Sequence, residues 1–559
     1  IILSILLLLI SKFPVPLLGK EFIHVFTDKG MYENCDDLWF KGVVFDDESM
    51  QLSDRSHTAF VEIIDFNDSV VWQEKYRVSN GMCDGHVYVG DEWKSGEYRM
   101  FIHTRGSLGN EDKEIYPKKF LVISELSDAP TFLRKAAEQT CYIDFPDSGC
   151  TNIITVSLTL DSVEYHPRSN VKATVKVMDN NGKPVRAVIT MSVADIMYTY
   201  PPADVDIISQ IYGLKHDSIR LQNRCFKPVL SDGAASGFLR SGRKNNTLPL
   251  NGKYINVFDD TAEKGAVNII ATGNDGYFDI SPEIASSLNK NLLIKPLVDE
   301  DIKPRLEISD PFKEMEMIRK KASEKYYPAI RKKAKIEPKD TSDYSGRHTV
   351  QLDEVIVKGA AWKRKPKRNK ITGYLDSLAL SRQSAWVCCG KIVDGEYVGG
   401  FLNDYLPGYN HHPLDDPYYS VRPPKNITIP ERGKLYRMIK MRWDERMQCY
   451  TYELESWAVY SGPNYSEKDL LEMEGIRKVQ GYYPRHRFKI PDEYDLLSGM
   501  EDLRTTLLGL PRAQTDENGE FTVEFPTSDI RSTYRISGFI LTPDIIKDAK
   551  IIDEYFIVD

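Results

Sequence analysis

The chain is expected to be mainly β: successive antiparallel β-sandwiches with a short helical linker. Three observations predict this. Short β-rich runs recur at a steady cadence, Asn-Gly and Asp-Gly turns sit between them, and a single highly charged stretch interrupts them without any apolar stripe to bury. At roughly 100–200 residues per domain, the 559 residues should divide into about three to five domains. Hydrophobic residues at 41% and charged residues at 28% exclude global disorder, collagen-like repetition and a polytopic membrane protein. A net charge of −9 argues against a surface built for nucleic acid, so no nucleic-acid partner is expected.

Residues 20–125 form the first expected unit. EFIHVF, LWFKGVVF, TAFVEIID, VVWQEKYRV, HVYVG, EYRMFIHT and KKFLVI read as strands, and the alternation of Tyr98, Met100 and Ile102 against Arg99 and His103 assigns opposite faces. Residues 126–235 form a second sandwich around ITVSLTL, NVKATVKVMD and AVITMSVAD, with a hairpin at Asn180-Asn181-Gly182. Residues 248–306 form a smaller third one, with a turn at Asn274-Asp275-Gly276. The charged linker, 312–350, contains Pro328 and marks a boundary. A Tyr-rich region, 351–490, follows, and 491–559 closes the chain with FTVEF, TYRISGFIL and EYFIVD. Gly519-Glu520-Phe521 after Asp516 repeats the turn chemistry of Asp275-Gly276-Tyr277. Because each sandwich should carry its own core, a chain ending near Lys313 is expected to fold alone.

The opening IILSILLLLIS, broken by Lys12, Pro14 and Pro16, is too short to span a bilayer but has the length of a signal-peptide core. Residues 1–19 are therefore expected to be a truncated signal peptide cleaved near Leu18-Gly19, and the mature protein to be exported, periplasmic or associated with the outer membrane. Eight cysteines in such a chain make disulfides expected. Cys141 and Cys150 bracket a loop short enough to bridge, and Cys35 and Cys83 share one expected unit. Vicinal Cys388-Cys389 reads as thiols or as partners in separate bridges rather than a metal pair.

VFTDKGMYENCDDLWFKGVVFD, residues 25–46, resembles a signature of the alpha-2-macroglobulin superfamily, with Asp28, Lys29, Tyr32, Trp39 and Phe40 matching and Glu33-Asn34-Cys35-Asp36 in place of the usual Pro-Gly turn. Residues 502–541 resemble the macroglobulin domain that precedes the thioester domain. Between them, 248–306 is similar to carboxypeptidase-regulatory or transthyretin-like domains, and LDEVIVKG to the segment entering the plug of TonB-dependent receptors. The resemblance implies macroglobulin- or immunoglobulin-like sandwiches in an exported bacterial protein. The thioester string Gly-Cys-Gly-Glu-Gln is absent, its nearest counterpart being Cys388-Cys389-Gly390-Lys391, so covalent trapping is not implied.

No catalytic, cofactor-binding or metal-ligating residue is assigned, and no cofactor is expected. His411-His412 with Asp415-Asp416 is the densest cluster of metal-competent side chains, but neighbours in extended chain point apart, and a surface loop is the expected reading. No P-loop, G-x-G-x-x-G, H-E-x-x-H or G-x-S-x-G string occurs. Lys358, Lys363, Arg364, Lys365, Lys367, Arg368 and Lys370 form a basic cluster suited to peripheral contact with an anionic membrane, and otherwise to a solvated linker. Tyrosines 405, 409, 418, 419, 482 and 483 suit protein or glycan recognition as well as packing. The expected function is thus a non-enzymatic binding or scaffold protein of the cell envelope, acting with an outer-membrane or periplasmic protein or glycan. The alternative is a thioester-free protease inhibitor working by steric capture.

Overall fold

The computed structural model describes residues 21–46, 51–108, 117–124, 154–199, 233–243, 246–260, 268–299, 302–313, 465–492, 501–542 and 550–559. Shorter pieces are described at 49, 114–115, 219–220, 315–316, 374–376, 378–379, 391–393, 396–398, 427–428, 432, 435–446 and 449–459. Antiparallel sheets dominate them. No described helix is long and apolar enough to cross a membrane.

The first sandwich uses β1 (Glu21–Thr27), β2 (Met31–Glu33), β3 (Asp37–Asp46), β4 (Thr58–Ile64), β5 (Val70–Arg77), β6 (Met82–Tyr88), β7 (Gly96–His103) and β8 (Lys118–Ile123). One sheet runs β1-β3-β6 and the other β2-β8-β7-β4-β5. Alternating side chains from both sheets, among them Leu38, Phe40, Val61, Ile63, Tyr98, Met100 and Ile102, close a common core. Arg99 and His103 do face the other way, yet they too are buried, because further parts of the chain cover the outer face of this sheet.

Residues 154–195 supply β9 (Ile154–Leu160), β10 (Glu164–Tyr165), β11 (Asn170–Asp179) and β12 (Val188–Asp195). The third sandwich follows: β13 (Ala235–Arg243), β14 (Asn246–Pro249), β15 (Tyr254–Asp259), β16 (Asn268–Ala271), β17 (Tyr277–Ile280), β18 (Asn291–Leu297) and β19 (Pro304–Ile308). It therefore starts before residue 248. It also recruits β20 (Arg477–Gln480), which pairs with β18. In the Tyr-rich region, the strands Leu435–Asp444 and Cys449–Val459 form a long antiparallel hairpin in a separate five-stranded sheet.

The last four strands revise the expected organisation. β21 (Thr506–Gln514), β22 (Glu520–Pro526), β23 (Ser532–Leu541) and β24 (Lys550–Val558) do not form a unit of their own. β22 pairs with β11, completing the sheet β9-β11-β22, and the other sheet runs β10-β24-β23-β12-β21. Of nineteen buried residues in the resulting core, nine come from the C-terminal strands, including Leu507, Leu508, Phe525, Ile536 and Phe556. Strand β11 alternates buried Val171, Ala173, Val175 and Val177 with more exposed residues. That stripe needs an opposite sheet, and most of that sheet lies more than 300 residues downstream. The described strands of 154–195 and 506–558, expected to lie in separate units, thus build one sandwich, so a chain ending near Lys313 would lack most of one of its two sheets.

Candidate functional site

Asp28, Lys29 and Tyr32 lie at the seam between the first two sandwiches, whereas Phe40 packs in the core of the first. Asp28 follows β1, and its carboxylate is fully enclosed. It accepts hydrogen bonds from the Tyr32 hydroxyl at 2.7 Å, the Trp39 backbone N–H at 2.9 Å and Thr506 Oγ1 at 3.0 Å. Its backbone carbonyl accepts from Ser192 Oγ at 2.7 Å. Thr506 and Ser192 belong to the second sandwich, so one aspartate is tied to both units. Burial raises the Asp28 pKa to about 6, with the neighbouring Lys29 and the Tyr32 hydroxyl pulling the other way. The Lys29 ammonium pairs with Asp36, donates to Thr505 Oγ1 at 2.7 Å and lies over the rings of Tyr32 and Tyr198, 5.2 and 5.3 Å from their centroids. Beside this staple, Phe22, Phe26, Val43 and Phe45 pack against Phe539 and Leu541, and Lys41 donates to the Pro511 carbonyl. Burial lowers the Lys41 pKa to about 7.

A second seam joins the first sandwich to the third and to residues 480–488. Lys75 Nζ donates to the carbonyls of Ala234 at 2.9 Å and Gln480 at 3.0 Å, and Tyr482 shares a 2.8 Å hydrogen bond with Thr58. Arg485 grips Asp84 with two nitrogens, at 2.9 and 3.1 Å. Tyr483 packs among Trp72, Tyr76, His86 and His486, with ring centroids 5.3 to 6.0 Å away.

Where the two seams meet, the surface opens into a cleft of about 490 Å³. Glu33, Asp36 and Asp37 line it from the first sandwich, Arg487, Lys489 and Arg504 from the later segments, and Trp39, His86 and Phe488 supply aromatic surface. His86 stacks on Trp39 at 5.1 Å and meets His486 edge-on at 4.2 Å. Burial, reinforced by the charge of His486, lowers the His86 pKa to about 4. The Asp37 carboxyl is raised by burial and by the adjacent Asp36. The arrangement sets aromatic surface beside acidic and basic residues, of which Asp36 is paired with Lys29 and Arg504 with Asp502. Among the described residues no group of three or more His, Cys, Asp or Glu is placed to hold a metal ion.

The sequence candidates distribute unevenly over this structure. The basic cluster 358–370, the His411 loop, Tyr405, Tyr409, Tyr418, Tyr419, Cys141, Cys150 and Cys388-Cys389 lie outside the described residues. Tyr482 and Tyr483 are wedges in a seam rather than an exposed recognition surface. Cys35 and Cys83 are not joined: Cys35 sits exposed on a turn, whereas Cys83 is enclosed in the core beside Gly42, and burial pushes its thiol up to about 12. Nothing in the sequence singles out His86, His486, Arg487 and Arg504. They are separated by as much as 418 residues, and only the fold brings them together.

No family model matches the chain, and no curated protein matches it. Among solved structures, the chain is similar to Escherichia coli alpha-2-macroglobulin activated by porcine elastase, with 8% identity over 96% of this chain and 44% of that one, at a TM-score of 0.25. It is similar to Salmonella alpha-2-macroglobulin reacted with methylamine, with 9% identity over 96% and 39% of the two chains, at a TM-score of 0.23. It is also similar to the E. coli adhesin FdeC, with 10% identity over 51% and 62%, at a TM-score of 0.15. The chain spans less than half the length of the two macroglobulin chains. Identities and TM-scores this low assign neither family nor function.

Proposed function

We propose that this chain is a non-enzymatic binding or scaffold protein exported to the bacterial cell envelope, where it engages an outer-membrane or periplasmic protein through the cleft at the junction of its sandwiches. The observation that carries the reading is the cleft itself: acidic Glu33 and Asp37 and basic Arg487 and Lys489 around Trp39 and Phe488, held on a frame whose seams are fixed by buried hydrogen bonds. Opposed charges on a preorganised surface favour selectivity and association rate for a partner loop carrying both signs, while aromatic floors supply contact area. The signal-peptide-like opening supports export. The cluster from Lys358 to Lys370 supports peripheral contact with an anionic membrane as a second point of attachment.

A photo-crosslinking residue at Leu503, exposed on the cleft rim, tests this in intact cells. The expected result is one defined adduct that is lost when Asp37 is changed to Lys and absent when the probe replaces Lys172 on an exposed strand of the second sandwich. Equal labelling from both positions, or an adduct indifferent to Asp37→Lys, would refute binding at the cleft. An adduct that shifts on glycosidase treatment rather than protease treatment would replace the protein partner by a glycan.

A further inference from the structure

The outer face of β7 and β4 carries a histidine that the cleft does not use. His103 has no solvent exposure, and neither ring nitrogen has a hydrogen-bond partner. Its ring stacks on Phe60 of the neighbouring strand at 5.2 Å with 22° between planes, and Phe312 meets it edge-on at 6.4 Å and Phe60 at 5.6 Å. Phe312 lies in the segment that leaves the third sandwich after β19, and Met315 of the same segment is fully buried. The histidine is thus an internal surface against which the start of the charged stretch is seated.

We infer that His103 is an acid-operated latch: neutral, it lets Phe312 close over Phe60, and protonated, it releases the segment around 310–316 from the first sandwich. The physical reason is the cost of placing an imidazolium among aromatic rings with no acceptor for its two N–H groups. The charged groups of the surrounding elements are already engaged elsewhere. On the same sheet, Glu62 accepts from Gln73 at 3.0 Å and Arg99 pairs with Asp68 at 2.7 Å. Lys75 is capped by two carbonyls, and Arg105 donates to Ser236 at 3.1 Å. Asp310, on the covering segment, accepts from the Phe312 backbone N–H at 3.2 Å. Burial alone accounts for the fall of the His103 pKa to about 3, well below its ordinary value of 6.5. A histidine that protonates freely once released, but not while seated, enriches the released state by a factor that approaches tenfold per pH unit well below 6.5.

Hydrogen exchange of the full chain, with protection factors corrected for the intrinsic pH dependence of exchange, reads this directly. Between pH 6.5 and 5.0, protection of the amides of 310–313 should fall about 16-fold relative to those of β3. His103→Leu, which removes the charge while keeping an apolar filler, should abolish the fall. Phe312→Ala should lower protection of the same amides already at pH 7.5. The latch is overturned if 310–313 and β3 lose protection in parallel, if His103→Leu leaves the response intact, or if Phe312→Ala leaves protection at pH 7.5 unchanged.

Discussion

Cutting the chain after Lys313 removes β20 to β24 and should dismantle the second sandwich while leaving its N-terminal strands chemically intact. Nine buried core residues would be lost from that cluster. At roughly 1.5–3 kcal/mol for each fully buried large apolar side chain, the loss is on the order of 15–25 kcal/mol, more than the 5–15 kcal/mol by which a whole domain is ordinarily stable. Strand β11 would also lose its ladder partner β22 along seven residues, from Asn170 opposite Pro526 to Lys176 opposite Glu520. Amide exchange localised by mass spectrometry is the appropriate assay. In the truncated chain the amides of β11 and β12 should exchange at rates near those of an unfolded peptide, and adding residues 501–559 as a separate polypeptide should restore part of their protection. Native-like protection of β11 in the truncated chain alone would refute the split-sandwich architecture.

Other perturbations have equally definite outcomes. Phe525→Ala should destabilise the second sandwich by about 3–5 kcal/mol in equilibrium unfolding, as expected for an enclosed aromatic residue. Gly42→Ala should cost about 1–3 kcal/mol, because the added Cβ would stand 2.6 Å from Cys83 Sγ and 3.0 Å from Ile102 Cδ1. Iodoacetamide at pH 8 should modify Cys35 in the native protein and spare Cys83 until unfolding. Acid should destabilise the fold through His86 and His103, whose depressed folded pKa values keep their stability contribution complete above 6.5 and erode it as pH falls toward about 4 and about 3. Asp28 has the opposite sign: its raised pKa gives a contribution that is complete below 3.8 and lost as pH rises through about 6. Combining the three groups, stability should drop by about 2 kcal/mol from pH 6.5 to 5.0, about 3 kcal/mol lost through the two histidines against about 1 kcal/mol gained through Asp28, and the His86→Leu/His103→Leu variant should show no drop.

The local rules of the fold were legible; the distant pairings were not. Asp275-Gly276 and Asn518-Gly519 mark turns because each glycine has φ near +71° and a neighbouring carbonyl, of Leu239 or Val177, where a Cβ would stand. Asp516 and Asp179 each accept two backbone N–H bonds at 2.8 Å across their turns, which is why Asp and Asn stand there. Alternation likewise placed Tyr98, Met100 and Ile102 in the core. Period-2 patterning, however, names only a strand's inward face. It cannot say which of several apolar sheets that face will meet, and so alternation alone leaves β22 in a separate unit although it belongs beside β11. Nor can it say when the outward face is covered, as at His103. The motif at Asp28 was visible as a string, but its role depends on Thr506, 478 residues away.

The most direct test of the seam between the first two sandwiches is a double-mutant cycle on Asp28→Ala and Thr506→Ala, measured by equilibrium unfolding of the full chain. Because the buried carboxylate and the hydroxyl are in contact at 3.0 Å, the two changes should be non-additive, with a coupling of about 0.5–3 kcal/mol. Free energies that add to within about 0.5 kcal/mol would mean that Asp28 does not pin one sandwich to the other.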